Sequence, residues 1–163
     1  LIEKKQLRFV SERLIPSEDL MFNINILAHA HRVCVIPQSF YNYRINQSSI
    51  SRSIKLNKFP LFKNLYQSMM EQCHQLDITG DIDLRIKRLI IGYTRSYICQ
   101  IILSNATYNE KKNVIYRICK DNIWQNIYTN YPINKMHWTH RLFIAAMKMN
   151  SYSLLYTLTK IRK

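Results

Sequence analysis

Two glycines, Gly80 and Gly92, are all that 163 residues contain. Tight turns and phosphate-cradling loops depend on glycine because it takes left-handed backbone without steric cost. Neither the P-loop nor the dinucleotide-binding fingerprint can be written with two isolated glycines. Scarce glycine and only four prolines also argue against a turn-rich all-β sandwich. What remains is a chain of long elements joined by few sharp turns. A hydrophobic content of 47% supplies a sizeable core and argues against disorder. The length suits one domain, or one domain with a helical extension.

The formal charge is +14, and it is unevenly spread. Residues 1–83 carry 10 basic and 8 acidic side chains; residues 84–163 carry 14 basic and 2 acidic ones, with no acid after Asp121. The C-terminal half therefore projects a positive field that favours a polyanion: nucleic acid, an anionic membrane surface or a phosphorylated substrate. Cys34, Cys73, Cys99 and Cys119 are widely spaced in apolar surroundings, which reads as buried free thiols in a reducing compartment. The charges begin at Glu3, no secretory signal is recognisable, and no Met opens the sequence. The longest apolar run is split by Arg95, short of a membrane-spanning helix. The expectation is a soluble or peripheral protein, and a piece of a longer one.

Along the chain, the first third reads as mixed structure. Residues 7–10 form a short strand or turn-in. Ser17 is a candidate N-cap for a helix whose face carries Leu20, Ile24, Leu27 and His31. Residues 32–36 are a β-branched run closed by Pro37, and residues 39–45 are a second extended run rich in Tyr and Phe; the two suit a hairpin or neighbouring strands. Beyond a polar loop over 46–51 the pattern is helical throughout: 59–76 with Pro60 in the first turn, 82–103 with the stripe Ile86, Ile90, Tyr93, Tyr97 and Ile101, a helix capped by Asn109 and ending near Asp121, a short piece around 124–128, then 135–149 and 153–161.

The chemistry-bearing feature of the first third is Glu18-Asp19, two adjacent acids where a helix begins. Backbone N–H groups hold such a carboxylate ionised, which suits a general base as well as simple capping. Leu7-Arg8-Phe9, Glu18-Asp19-Leu20-Met21-Phe22, Val35-Ile36-Pro37, Tyr41-Asn42-Tyr43-Arg44 and Ser48-Ser49-Ile50-Ser51 follow one another in order. Over residues 1–54 this series resembles the C-terminal part of the family-2 glycosyltransferase domain, which has a GT-A-type fold. The remaining chain is similar in style to the variable helical tail of bacterial members that build capsule, exopolysaccharide or lipopolysaccharide.

The resemblance implies an α/β fragment over residues 1–54, with short strands and one helix, followed by a mainly α-helical extension over 55–163. It implies that Asp19 is the catalytic base of a single inverting displacement, and that Glu18 orients the acceptor or the helix start. Arg44 and the loop bearing Ser48, Ser49 and Ser51 would lie near the donor diphosphate, where a planar cation can neutralise the leaving group. Substrates would be a nucleotide-sugar donor and a saccharide or lipid-linked acceptor. The site would be cytoplasmic, peripheral on the inner face of the plasma membrane. Mg2+ or Mn2+ is expected for the full-length enzyme, but its Asp-x-Asp motif belongs upstream and nothing here supplies it. Asp81-Ile82-Asp83 has that spelling at the wrong place in the order and reads as helix capping. Asn46 stands where many relatives have a His, so no metal ligand is expected from this segment. The isolated chain is expected to be inactive.

Two other readings stand beside this one. A non-catalytic helical module would bind a protein partner or an anionic membrane surface through residues 133–163. There Met136, His140, Phe143, Ile144 and Met147 form an apolar stripe flanked by Arg141 and Lys148, and the last helix adds Leu154, Leu155 and Leu158 before Lys160, Arg162 and Lys163. A basic nucleic-acid binder is the third, since the 11 tyrosines mix with Lys and Arg. No RNP motif, zinc finger or KH loop is present, which argues against nucleic acid. His29 and His31, two apart, point to different helix faces. His137 and His140 can share a face but lack an acid or Cys to complete a zinc site.

Overall fold

The computed structural model describes residues 1–11, 13–42 and 56–161. Among these residues the protein is all-helical: α1 (Glu18–His29), α2 (Phe59–Gln75), α3 (Ile82–Leu103), α4 (Tyr108–Cys119), α5 (Ile123–Asn130), a 3-10 turn (Ile133–Lys135), α6 (Trp138–Lys148) and α7 (Tyr152–Ile161). The boundary expected between residues 54 and 55 falls outside the described residues.

α3 is the axis. At about 1.5 Å per residue its 22 residues run about 33 Å. α2, α4 and α7 all pack on it, and α6 packs chiefly on α7. Because α3 has neighbours on several sides, its buried surface is wider than one stripe. Ile86, Ile90, Tyr97 and Ile101 are joined by Ile91, Thr94, Ile98 and Ile102, while Tyr93 is half-buried. Thr79, Gly80 and Asp81 separate α2 from α3, and Gly80, at φ +92°, takes the left-handed backbone of the link between these two packed helices.

The other helices start where local chemistry dictates. Pro60 sits in the first turn of α2, where its missing N–H is not needed. The Lys58 amide just before it donates to the Tyr97 hydroxyl at 3.1 Å, so α3 caps α2. Thr107, two residues before the expected Asn109, caps α4. The Glu110 amide donates to Thr107 Oγ1 at 3.4 Å and the Thr107 amide to Glu110 Oε2 at 2.9 Å, a reciprocal box that Asn109 has no partner to make. The Thr107 hydroxyl, donating to Glu110 Oε2 at 2.7 Å, and then the Thr107 amide hold the Glu110 carboxyl below its ordinary value. Asp81 stands at the start of α3 without a side-chain cap. Asp83 instead pairs with Lys87 at 2.6 Å, so the Asp-x-Asp spelling serves an i,i+4 ion pair rather than capping.

The expected α/β architecture is overturned. No strand occurs among the described residues. Residues 32–36 and 39–42 form no regular secondary structure and are exposed, Val35 at 92%; residues 43–45 lie outside the described part. Residues 7–10 form no strand either, and Phe9 instead stacks on Phe22 with ring centroids 3.9 Å apart. A β-branched run takes a strand only when a neighbour completes its hydrogen-bond ladder and covers one face. Nothing in the described residues does so.

The thiols are also divided differently from the expectation. Cys73 and Cys119 are buried, Cys99 is partly covered, and Cys34 is exposed in the irregular segment after α1. Burial raises the Cys73 thiol and pushes the Cys119 thiol up to about 12.

Two measurements follow from this packing. Leu65, fully buried in α2, should lose about 2–5 kcal/mol of stability as Leu65→Ala. Gly92, in mid-α3 with open space where a Cβ would sit, should gain about 0.5–1 kcal/mol as Gly92→Ala; denaturant unfolding reads both. In thiol titration at neutral pH with an aromatic disulfide, mass spectrometry should find Cys34 modified first. Cys73 and Cys119, protonated and covered, should react only after unfolding.

Candidate functional site

The acids singled out in the sequence do open a helix: Glu18 and Asp19 form the first turn of α1. Asp19 is exposed and Glu18 half-buried. The Leu20 amide donates to Asp19 Oδ1 at 2.9 Å, and no ion pair engages either acid among the described residues. Asp19 therefore presents a carboxylate steadied by local backbone and by the helix N-terminus, with its outer face open.

Ser17 does not cap α1 with its side chain. It stands at φ 61°, and its hydroxyl is 2.8 Å from the Tyr93 hydroxyl on α3. That bond fixes the entry of α1 against the bundle axis. Met21 is the buried anchor of the helix, ahead of Leu20 and Ile24, which are partly covered. Leu27 and His31, expected on the same face, are exposed. Gln72 Nε2 donates to the Met21 carbonyl at 3.3 Å, tying α1 to α2. The carboxylate pair is thus carried on a helix docked to the rigid part of the molecule.

Arg44, Ser48, Ser49 and Ser51, the residues assigned to the donor diphosphate, lie outside the described residues. No grouping of three His, Cys, Asp or Glu side chains able to hold a metal ion occurs among the described residues. His29 bonds the Asn25 carbonyl through Nδ1 at 2.8 Å. His137 Nδ1 accepts from the Thr139 amide at the start of α6. His140 lies 2.9 Å from an Arg95 guanidinium nitrogen, and that guanidinium also sits over the Phe143 ring.

A groove of about 840 Å³ lies between α2 and α5. Asn64, Gln67, Asn122, Gln125, Asn126 and Asn130 line it. Lys63 at its edge is neutralised by Asp121 at 2.9 Å. The groove offers carboxamide donors and acceptors with little net charge, a lining suited to hydroxyl-rich ligands. Asn64 Nδ2 also donates to the Leu14 carbonyl at 3.4 Å, so the groove borders the segment leading into α1. The sequence reading passed over it because its residues come from two helices nearly sixty positions apart. The spacing of 64 to 67 and of 122, 125, 126 and 130 was the available signal.

The tail differs from its expected form. Phe143, Ile144 and Met147 are buried in the bundle, and Leu155 with them, so the stripe read as membrane-facing is core. No helix among the described residues is long and apolar enough to cross a membrane. No protein-family model, curated protein or solved structure matches this chain.

Proposed function

We propose that this chain is the acceptor-side, C-terminal portion of an inverting glycosyltransferase that moves a sugar from a nucleotide-sugar donor to a saccharide or lipid-linked acceptor in bacterial cell-surface polysaccharide synthesis. The observation that carries the reading is Asp19: an exposed carboxylate, without an ion pair among the described residues, in the first turn of a docked helix. The carboxamide groove beside the entry to α1 adds a surface suited to a sugar acceptor.

In this reading Asp19 removes the proton from an acceptor hydroxyl as that oxygen bonds to the anomeric carbon. The bond from that carbon to the donor diphosphate breaks, and the nucleoside diphosphate leaves with the electron pair. One carboxylate suffices, because the displacement is single and forms no glycosyl-enzyme. Glu18, half-buried beside it, orients the acceptor or the helix start. Arg44 with Ser48, Ser49 and Ser51 would face the diphosphate. The divalent cation belongs with an upstream Asp-x-Asp motif. The acids here do not substitute for it, since Asp83 is committed to Lys87 and Asp121 to Lys63.

The test is Asp19→Asn in the enzyme joined to its upstream half. Turnover should fall about 10²- to 10⁴-fold, while binding of the nucleotide sugar, measured by calorimetry, stays unchanged. Undiminished turnover sinks the assignment of Asp19. A coding sequence upstream of Leu1 without short apolar strands and an Asp-x-Asp motif sinks the enzyme reading as a whole.

A further inference from the structure

α6 has two apolar faces where a surface helix needs one. Its inner face, Phe143, Ile144, Ala146 and Met147, is buried in the bundle. A solvated outer face should then be polar. Instead Trp138 is 62% exposed, Leu142 47% and Met149 68%. They are spaced four and seven residues apart, on one side of the helix, and Arg141, Ala145 and Lys148 lie between them on the same side.

Together with Ile133, residues from Trp138 to Lys148 on this side line a shallow depression of about 470 Å³. No ion pair engages Arg141 or Lys148 among the described residues. The Lys148 ammonium is held 4.6 Å from the Tyr128 ring centroid. The sequence has no acid after Asp121 to offset these cations.

We propose that this outer face of α6 docks on an anionic lipid bilayer, in the interfacial plane. An amphipathic tryptophan suits the headgroup level, and Leu142 and Met149 supply apolar surface to bury just below it. Arg141 and Lys148 stand where lipid phosphates would lie, and the uncompensated positive charge of the C-terminal half draws the face toward a negative membrane. A nucleic acid fits less well, because the depression is lined by aliphatic side chains and offers one ring rather than a row of stacking platforms. The docking rests on α6 alone and is independent of the sugar-transfer reading.

The experiment adds the 163-residue chain to phosphatidylcholine vesicles with and without about 30% phosphatidylglycerol. Tryptophan emission and co-flotation are both read. Trp124, the second of the two tryptophans, is 3% exposed and stacked on Tyr128, so a blue shift on binding reports Trp138. Anionic vesicles should give the shift and flotation, weakening as salt rises, and neutral vesicles should give neither. Arg141→Glu with Lys148→Glu should cut vesicle affinity at least about tenfold with helical circular dichroism unchanged. Leu142→Ser with Met149→Ser keeps the charge and should also weaken flotation, most visibly at high salt. Asp19→Asn should leave binding intact. Flotation undiminished in both double variants assigns binding to another surface, such as residues 31–42, and overturns the proposal. So does flotation without a blue shift. Absence of flotation overturns it as well, and in that case single-stranded oligonucleotide binding lost in Arg141→Glu with Lys148→Glu would reassign the face to nucleic acid.

Discussion

The burial of α3 is the constraint on which the molecule depends. A helix that meets α2, α4 and α7 at once cannot keep one apolar stripe and a polar remainder. Seven isoleucines and two tyrosines fully or partly satisfy that demand between Ile82 and Ile102, and stiff β-branched side chains, poor helix formers alone, are offset by the contacts they make. Two polar groups drawn into this packing are put to use, whereas the buried Thr94 hydroxyl finds no hydrogen-bond partner among the described residues. Lys87 is buried but keeps Asp83 at its end, and the Tyr97 hydroxyl reaches out of the core to hold the start of α2. The same helix fixes α1 through Tyr93 and Ser17, so the orientation of the Glu18-Asp19 turn follows from the bundle.

Charge and shape divide the surface in two. The N-terminal part holds the exposed Asp19 of α1 and an exposed segment over 31–42. The C-terminal part holds helices whose cations lie near aromatic rings: Lys112 with Tyr108, Lys120 with Tyr116, Lys148 with Tyr128 and Lys160 with Tyr156. Such contacts orient a cation without neutralising it, so the positive field survives folding. An acceptor that is itself lipid-linked would join the two regions, with the proposed chemistry at α1 and the proposed anchor at α6.

Much of the helical architecture was legible. The bounds of α2 and α3 follow from Pro60, Thr79 to Asp81 and an unbroken apolar period, since long periodic segments leave few alternatives. The cap of α4 was written as Thr107-Tyr108-Asn109-Glu110 but misassigned by two residues, because Asn109 also has the right chemistry taken alone. The strands expected at 32–36 and 39–45 were a different kind of error. Their composition is correct for a sheet, yet a strand exists only where two segments pair, and composition does not show whether they do. The role given to Phe143 and Met147 failed for a related reason: an amphipathic period states that a face will be covered, but not whether by protein or by lipid.

The sequence by itself determined the helical phase of the chain, the positions of its breaks, the concentration of positive charge after residue 84 and the presence of an acid pair at the start of a helix, because periodicity, caps and charge are local properties. Only the tertiary structure decided which side of α6 is core and which is free, that Ser17 serves Tyr93 rather than its own helix, and that carboxamides of α2 and α5 share one groove. Those outcomes depend on which helices meet, and the meeting of distant segments is set by the packing of whole surfaces rather than by the residues next in line.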